Sequence, residues 1–317
     1  LSRRQRQMCI RDSPNKEIIV TVGGSEAIDL TIRCLIQPGD EVLIVEPSFV
    51  CYRPIVSLCG GVPVVIETKE ENEFRLTADE LREKITDKTK LLVLPYPNNP
   101  TGAIMRREDL EAIAKVLKDT NIMIASDEIY SELTYSGKHC SIAEIEGMRE
   151  RTIVINGFSK SFAMTGWRLG FLGGPKEIVS QMLKLHQYAI MSSPTVSQYA
   201  AIVAMHSCQK DIDAMRNEYN IRRRFVVDSF NKLGLKCFAP QGAFYVFPCI
   251  KSTGMTSTDF CEKLVYTKKV AVVPGDAFGE CGEGYVRVSY AYSLNHLREA
   301  IKRIGEFLED IKNGNVQ

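Results

Sequence analysis

Short apolar runs that are followed at once by loops of glycine, proline or polar residues recur along this chain, and they limit the folds it can adopt. Runs at residues 17–22, 41–45, 91–94, 122–125 and 152–155 predict strands. Helical patterns follow several of them, so the order is strand, loop, helix. Parallel strands joined in this way bring their carboxyl ends to one edge of a sheet, where α/β proteins bind ligands. We predict an α/β fold with a mostly parallel sheet sandwiched by helices.

Composition narrows the function classes. The 317 residues carry 40 basic and 39 acidic side chains, so no basic excess favours nucleic acid as a partner. No apolar run approaches the roughly 18 residues that span a bilayer, and we predict no membrane partner. The ten cysteines are scattered and form no CxxC pair, and none of the four histidines lies near a cysteine at ligand spacing. We therefore expect free thiols in a reducing cytoplasm and no metal site.

The two ends of the chain differ in character from its middle. Residues 1–12 are basic and lack the apolar core of a secretory signal, so we expect them to be a non-native leader. Residues 13–225 are predicted to form a large domain that holds the ligand-binding loops. Residues 226–317 contain short strands and a long final helix, the pattern of a smaller α+β domain.

The loop at residues 157–170, GFSKSFAMTGWRLG, carries the most suggestive chemistry. It follows a predicted buried strand, so Lys160 and Arg168 lie where open α/β sheets hold ligands. An amine and a guanidinium among glycine, serine and threonine suit an anionic cofactor that also needs a covalent anchor. Alone, a Ser-Lys pair in a loop is usually a solvated charge.

Other strand ends carry groups that suit the same kind of ligand. Gly24, Ser25 and Glu26 begin a helix after the first strand, so their N–H groups can bind an anion, or simply form a tight turn. Asp127 ends an apolar strand, where a carboxylate is costly unless a cation meets it or it caps the next turn. Arg287 lies in a strand near the C-terminus, where an exposed arginine is the ordinary interpretation.

The stretch at residues 157–170 resembles the lysine-bearing motif of the class I/II aminotransferases, pyridoxal-phosphate enzymes of fold type I. A second motif of that family, NNPTG, matches residues 98–102, and the resemblance covers residues 14–317. It implies that the cofactor is pyridoxal 5'-phosphate and that Lys160 is the catalytic residue, which anchors the cofactor aldehyde and moves a proton. It also implies that amino acid and 2-oxo acid substrates exchange an amino group in a ping-pong cycle.

The resemblance also assigns roles to the remaining candidate residues. Arg168 and the N–H groups of Gly24, Ser25 and Glu26 would hold the cofactor phosphate, and Asp127 would pair with the pyridine nitrogen. Phe49 would stack on the ring, and Asn99 and Tyr130 would bond its phenolic oxygen. Arg287 and Asn99 would orient the substrate carboxylate. Relatives often have a hydroxyl residue where this chain has Gly157, so Ser159 or the backbone would serve instead.

Several expectations concern partners, substrates and rival functions. The resemblance implies a homodimer with the active site at the interface. Relatives contribute a glycine and a tyrosine to that active site, and both would precede Ser13. We therefore expect a chain that is shortened at its N-terminus. Phe49, Tyr96, Phe244 and Tyr245 suggest an aspartate/aromatic or broad substrate range. The alternatives are a carbon–sulfur lyase or decarboxylase on the same fold and a non-catalytic sensor domain. The Asn99–Pro100 bond is a candidate for the cis form.

Overall fold

The computed structural model describes residues 14–315, so the predicted leader at residues 1–12 lies outside the described residues. Strands and helices alternate over most of the chain. Up to residue 207 the elements are, in chain order, α1 (Pro14–Glu17), β1 (Ile18–Thr21), α2 (Gly23–Leu35), β2 (Glu41–Glu46), α3 (Tyr52–Leu58), β3 (Val62–Glu67), α4 (Ala78–Lys84), β4 (Thr89–Leu94), α5 (Arg107–Leu117), β5 (Met123–Asp127), β6 (Thr152–Gly157), β7 (Gly170–Gly173), α6 (Lys176–Ala189) and α7 (Thr195–Ser207).

The first seven strands form one sheet in the order β1-β7-β6-β5-β4-β2-β3. The five strands from β6 to β3 are parallel, with Leu91 opposite Met123 and Ile124 opposite Thr152. Only β7 runs antiparallel to its neighbours β6 and β1. The predicted α/β class and the mostly parallel sheet are therefore confirmed.

Helices cover both faces of this sheet, which explains why its strands are almost continuously apolar. Val42 and Ile44 pack on one side with residues of α2, α3 and α6. Leu43 and Val45 alternate with them and pack on the other side with residues of α4 and α5. Thr77 and Glu80 form the capping box expected from their spacing, and α4 begins there.

The C-terminal part forms a second layer. Its elements are α8 (Gln209–Lys232), β8 (Tyr245–Val246), α9 (Ser257–Lys268), β9 (Val273–Pro274), β10 (Val286–Ser289) and α10 (Leu294–Lys312). The three strands form an antiparallel sheet in the order β8-β10-β9, and helices α8, α9 and α10 share a core with it. Residue 225, the predicted domain boundary, lies inside α8, and the domain division stays a prediction.

Two local expectations differ from the structure. The helical region expected from residue 197 to residue 233 breaks at Cys208 into α7 and α8. The cis bonds of residues 14–315 are Glu46–Pro47 and Tyr96–Pro97, so the expectation for Asn99–Pro100 was wrong.

Two further properties concern the chain as a whole. Among the helices of residues 14–315, none combines the length and the apolar character that a membrane span requires. The nine cysteines of the same residues are free thiols, as the sequence predicted.

Candidate active site

A cavity opens at the carboxyl edge of the large sheet and reaches the second layer. Ten of the eleven candidate residues line it, namely Gly24, Ser25, Phe49, Asn99, Asp127, Tyr130, Ser159, Lys160, Arg168 and Arg287. They come from the ends of β1, β2, β4, β5 and β6 and from β10. The convergence follows from the parallel order of the strands, because their carboxyl ends share one edge.

Lys160 lies three residues beyond β6 in a loop that folds back on itself. The N–H groups of Phe158 and Met164 donate to Leu169 O and Phe158 O, both at 3.1 Å. The pKa of Lys160 is lowered, first by burial and then by the positive charges of Arg168 and Arg287. A larger fraction of this amine is therefore neutral, the form that attacks a carbonyl carbon.

Asp127 ends β5 and is buried at the floor of the cavity, with 7% of its surface exposed. Its Oδ2 accepts from the hydroxyl of Tyr52 at 2.7 Å, and its Oδ1 accepts from Ile129 N at 3.2 Å. Burial raises the pKa of Asp127, while these two donors oppose the rise. The contacts stabilise a carboxylate that has no ion-pair partner among residues 14–315, so it suits a positively charged ring nitrogen.

The start of α2 forms a cup for an anion, which we call the anion cup and define as residues 22–26. Gly23 has a φ of +76°, a region that favours glycine. An added Cβ at Gly23 would lie 2.6 Å from a guanidinium nitrogen of Arg168, and one at Gly170 would lie 2.5 Å from Gly23 C. The backbone of β7 and the arginine therefore approach the cup more closely than side chains would permit.

Glu26 is the one candidate that lies outside the cavity lining. One oxygen of its carboxylate accepts from Val22 N, and the other lies 2.6 Å from His186 Nδ1 on α6. The side chain thus connects the anion cup to α6 on the side away from the cavity. The assignment of its N–H group to phosphate stays a prediction.

Arg287 points from β10 into the cavity and is held by three neighbours. Its Nη1 donates to Asn99 Oδ1 at 2.8 Å. Its guanidinium carbon lies 4.5 Å from the ring centroid of Tyr245 and 4.8 Å from that of Phe278. Within residues 14–315 its buried Nε has no hydrogen-bond partner. A donor that is buried, charged and unpartnered suits a carboxylate ligand.

Aromatic side chains form two further walls. Phe49 stands edge-on to Tyr52, with ring centroids 6.1 Å apart. The hydroxyl groups of Tyr130 and Tyr245 lie 3.1 Å apart, and both side chains are buried. A phenol can donate one hydrogen bond and accept others, so this pair can still bond a ligand oxygen.

Close packing explains why glycine occupies position 157. An added Cβ there would lie 3.0 Å from both Gly170 Cα and Ile129 Cδ1. A hydroxyl residue would have to displace these neighbours by a few tenths of an ångström, whereas Ser159 already lines the cavity.

Sequence reasoning missed some lining residues and misplaced Tyr96. Tyr52 and Thr165 were not singled out, although both line the cavity. Tyr96 lies in the core instead, because its hydroxyl donates to Phe74 O at 2.8 Å. Phe244 is not part of the lining, but its ring packs on Tyr130 and its ring centroid lies 5.8 Å from the Nζ of Lys160, so it adjoins the site.

A mostly parallel seven-stranded sheet, with a lysine, a buried aspartate and an anion cup at its carboxyl edge, defines a transferase of the fold type I architecture. The sequence model of the family described as aminotransferase class I and II matches residues 3–304. The chain belongs to this family, and it is an aminotransferase. The match also includes most of the predicted leader, whose origin stays a prediction.

Relatives of known structure and sequence agree with this membership. The chain is 47% identical to the aspartate aminotransferase of Pyrococcus abyssi, over 97% of this chain and 80% of that protein. It is 46% identical to aromatic-amino-acid aminotransferase 2 of Thermococcus litoralis, over 94% of this chain and 78% of that protein. The crystal structure of the aromatic aminotransferase from Pyrococcus horikoshii superposes with a TM-score of 0.95 at 44% identity, covering 98% of this chain and 84% of that one.

Proposed function

We propose that this aminotransferase uses pyridoxal 5'-phosphate to move the amino group of an L-amino acid to a 2-oxo acid in a ping-pong cycle. The observation that carries the proposal is the position of Lys160. Its amine, with a lowered pKa, shares a cavity with the buried carboxylate of Asp127, an anion cup and the arginine Arg287. Each of these groups matches a different part of one cofactor and its substrate.

The residues present fit the cofactor. The close approach of Gly23, Gly170 and Arg168 leaves backbone N–H groups and a guanidinium for the phosphate. Asp127 suits the pyridine nitrogen, and Phe49 suits the ring face. Asn99 and Tyr130 suit the phenolic oxygen, and Lys160 suits the aldehyde. When bound, the cofactor supplies an electron sink for the negative charge that develops at the substrate α-carbon.

The chain's own residues bind, orient and move protons. Arg287 and Asn99 hold the substrate α-carboxylate, which fixes the α-carbon near the amine of Lys160. The amine of Lys160, neutral in a larger fraction because its pKa is lowered, accepts the α-proton and then returns a proton. The bonds from Tyr52 and Ile129 N favour the ionised form of Asp127, which would hold the ring nitrogen protonated.

We infer an aspartate/aromatic or broad amino donor, with 2-oxoglutarate as acceptor. The aromatic wall of Phe49, Tyr130 and Tyr245 supports a donor with an aromatic or apolar side chain. The names of relatives support both classes, because one is an aspartate and another an aromatic-amino-acid aminotransferase.

The proposal includes a homodimer with the active site at the interface. Exposed apolar side chains recur at the end of α6, in the segment after it and on α7, and we call this set the α6–α7 surface. Its exposed members are Tyr188, Met191, Val196, Tyr199 and Val203. Exposed apolar patches of this kind mark protein interfaces. Ser197 Oγ on α7 donates to Trp167 O at 2.7 Å, so the surface adjoins the loop that carries Arg168. A cytoplasmic location is also proposed, supported by the free thiols.

Replacement of the anchor tests the cofactor proposal. Purified protein loaded with pyridoxal phosphate is expected to show the yellow absorbance of the lysine–cofactor linkage. Lys160→Ala should lose this band and transaminase activity while keeping its fold by circular dichroism. Lys184→Ala, an exposed lysine of α6, is the matched control and should keep both. A band that persists in Lys160→Ala would contradict the role of Lys160.

A panel of amino donors tests the reaction and its substrates. Each donor is incubated with the enzyme and 2-oxoglutarate, and glutamate formation is measured. Faster turnover of aromatic donors or aspartate than of basic donors is the expected result. Release of pyruvate from a sulfur amino acid, or of carbon dioxide, without glutamate would favour the lyase or the decarboxylase instead.

A further inference from the structure

We propose that Glu26 and His186 form a positioning pair that sets the shape of the anion cup. His186 on α6 thereby affects how tightly the cup binds the cofactor phosphate. The inference rests on the proposed function, since it requires the cup to bind that phosphate. It adds a role for the side chains of Glu26 and His186, neither of which lines the cavity.

The pair connects two elements behind the cup. Glu26 lies in the first turn of α2, and its carboxylate accepts from Val22 N, the residue just before the helix. Its other oxygen lies 2.6 Å from Nδ1 of His186 in the last turn of α6. One carboxylate therefore ties the entry of the cup to a helix that lies far along the chain.

The position of both side chains indicates a specific contact. The side chain of His186 is 6% exposed and that of Glu26 is 11% exposed. His186 lies on the buried face of α6 with Val179 and Met182, where an apolar residue would be the simpler choice. A polar group at such a position is costly unless it has a partner, and Glu26 supplies that partner.

The cup depends on this pair because its glycines contribute no side chains that could hold the turn. Two adjacent glycines, Gly23 and Gly24, open the helix, and Val22 provides no side-chain cap. Thr21 Oγ1 donates to Gly23 O at 2.8 Å and steadies one side of the turn. Glu26 steadies the other side through Val22 N. If His186 is lost, we expect the carboxylate of Glu26 to turn towards water, so that Val22 N loses its acceptor and shifts.

The pair also links the cup to the α6–α7 surface. The carbonyl of His186 accepts from Ile190 N at 2.9 Å and from Met191 N at 3.0 Å, at the point where the exposed apolar segment begins. A partner that covers this surface would therefore also hold the helix end that carries His186.

Paired ligands with and without the phosphate group test the proposal. The dissociation constants of pyridoxal phosphate and of pyridoxal are measured on the full chain by the absorbance of the lysine linkage. Their ratio reports the contribution of the phosphate alone. We expect His186→Phe to reduce the preference for pyridoxal phosphate by about tenfold, the equivalent of one hydrogen bond to a charged group. His186→Asn, whose amide nitrogen can replace Nδ1, should restore most of the preference.

His139→Phe is the matched control. It breaks a second buried pair, in which His139 Nε2 lies 2.9 Å from Glu128 Oε2, away from the cup. The ratio of the two dissociation constants should stay at the wild-type value, whatever happens to stability. A loss of preference in His139→Phe equal to that in His186→Phe would overturn the proposal.

The remaining outcomes are also decisive. An unchanged ratio in folded His186→Phe overturns the positioning role. If that variant does not fold, Glu26→Ala answers the question, because it removes both the acceptor for Val22 N and the partner of His186. A reduced preference in folded Glu26→Ala supports the pair, and an unchanged one overturns it. Failure of the wild type to form the linkage with either aldehyde would instead refute the proposed function.

Discussion

Tyr52 shows how a single side chain prepares Asp127 for its role. A buried carboxyl group tends to keep its proton, and the pKa of Asp127 is raised by burial. The hydroxyl of Tyr52 donates to Oδ2 at 2.7 Å and favours the ionised form. In Tyr52→Phe we expect the pKa of Asp127 to rise further and kcat/KM to fall by about tenfold, as for the loss of one hydrogen bond to a charged group. The acid limb of the pH–rate profile should therefore shift to higher pH.

Tyr96→Phe is the control for this substitution. Tyr96 is also buried and also donates through its hydroxyl, but to the backbone at Phe74 O. It should lower the free energy of unfolding by about 1 kcal/mol and leave the acid side of the profile unchanged. If both variants shift the profile equally, Tyr52 does not act through Asp127.

The candidate residues were predictable when their position in the chain carried the signal. Asp127, Lys160 and Asn99 each follow a recognisable apolar strand, and polar residues at that point are expected to face the ligand edge. Tyr52 lies within a helix, where an aromatic residue usually packs in the core. Its contact with Asp127 joins residues 75 positions apart and depends on the tertiary fold.

At the scale of elements, the contact of β7 with α2 requires glycine at position 170. An added Cβ would lie 2.5 Å from Gly23 C and 2.7 Å from Gly24 N, and backbone atoms cannot rotate away. Gly170→Ala should therefore cost about 1–3 kcal/mol of unfolding free energy and weaken the binding of pyridoxal phosphate. Urea unfolding and absorbance titration measure the two effects.

Gly166→Ala provides the comparison from the same loop region. Among the described residues, nothing lies within 4 Å of an added Cβ there, and Gly166 has no positive φ. Its unfolding free energy should stay within about 0.5 kcal/mol of wild type. Equal losses in the two variants would show that the loop, and not the contact with the anion cup, limits stability.

His139 pairs with Glu128, the residue just after β5, and this pair makes the stability of the protein depend on pH. Burial lowers the pKa of His139, but the carboxylates of Glu128, Glu144 and Glu132 outweigh it, so the pKa is raised overall. A histidine with a raised pKa in the folded state stabilises the protein fully below its ordinary value of about 6.5. This contribution is lost as the pH rises through the folded-state pKa.

His139→Gln removes the titration and keeps a donor towards Glu128. The wild type should exceed this variant in unfolding free energy by more at pH 6 than at pH 9, measured by urea denaturation. A difference that grows with pH would contradict the charged pair.

Secondary structure was predictable where strand and helix patterns agreed with tertiary packing. The strands that flank the site were found within a few residues, because both faces of the sheet are buried and the runs are continuously apolar. Helix α6 was not predicted, although Val179, Met182 and His186 form its buried stripe, because a histidine interrupts the apolar period. The break at Cys208 has no proline or glycine to mark it.

At the scale of the whole molecule, the α6–α7 surface predicts how copies of the chain assemble. Tyr199 is 69% exposed on this surface. A carboxylate there would have to be desolvated in a dimer, so Tyr199→Glu should weaken association by about thirtyfold or more, since aromatic residues in an interface often contribute 2 kcal/mol or more. Sedimentation velocity at several protein concentrations measures the dissociation constant.

Tyr266→Glu separates the interface from a general effect of added charge. Tyr266 is 75% exposed on α9, in the second layer, and this variant should sediment as the wild type does. Because Ser197 on α7 bonds the carbonyl of Trp167 next to Arg168, dissociation of Tyr199→Glu should also weaken pyridoxal phosphate binding. Full cofactor affinity in a fully monomeric Tyr199→Glu would mean that each chain builds its site without its neighbour, against the proposed arrangement.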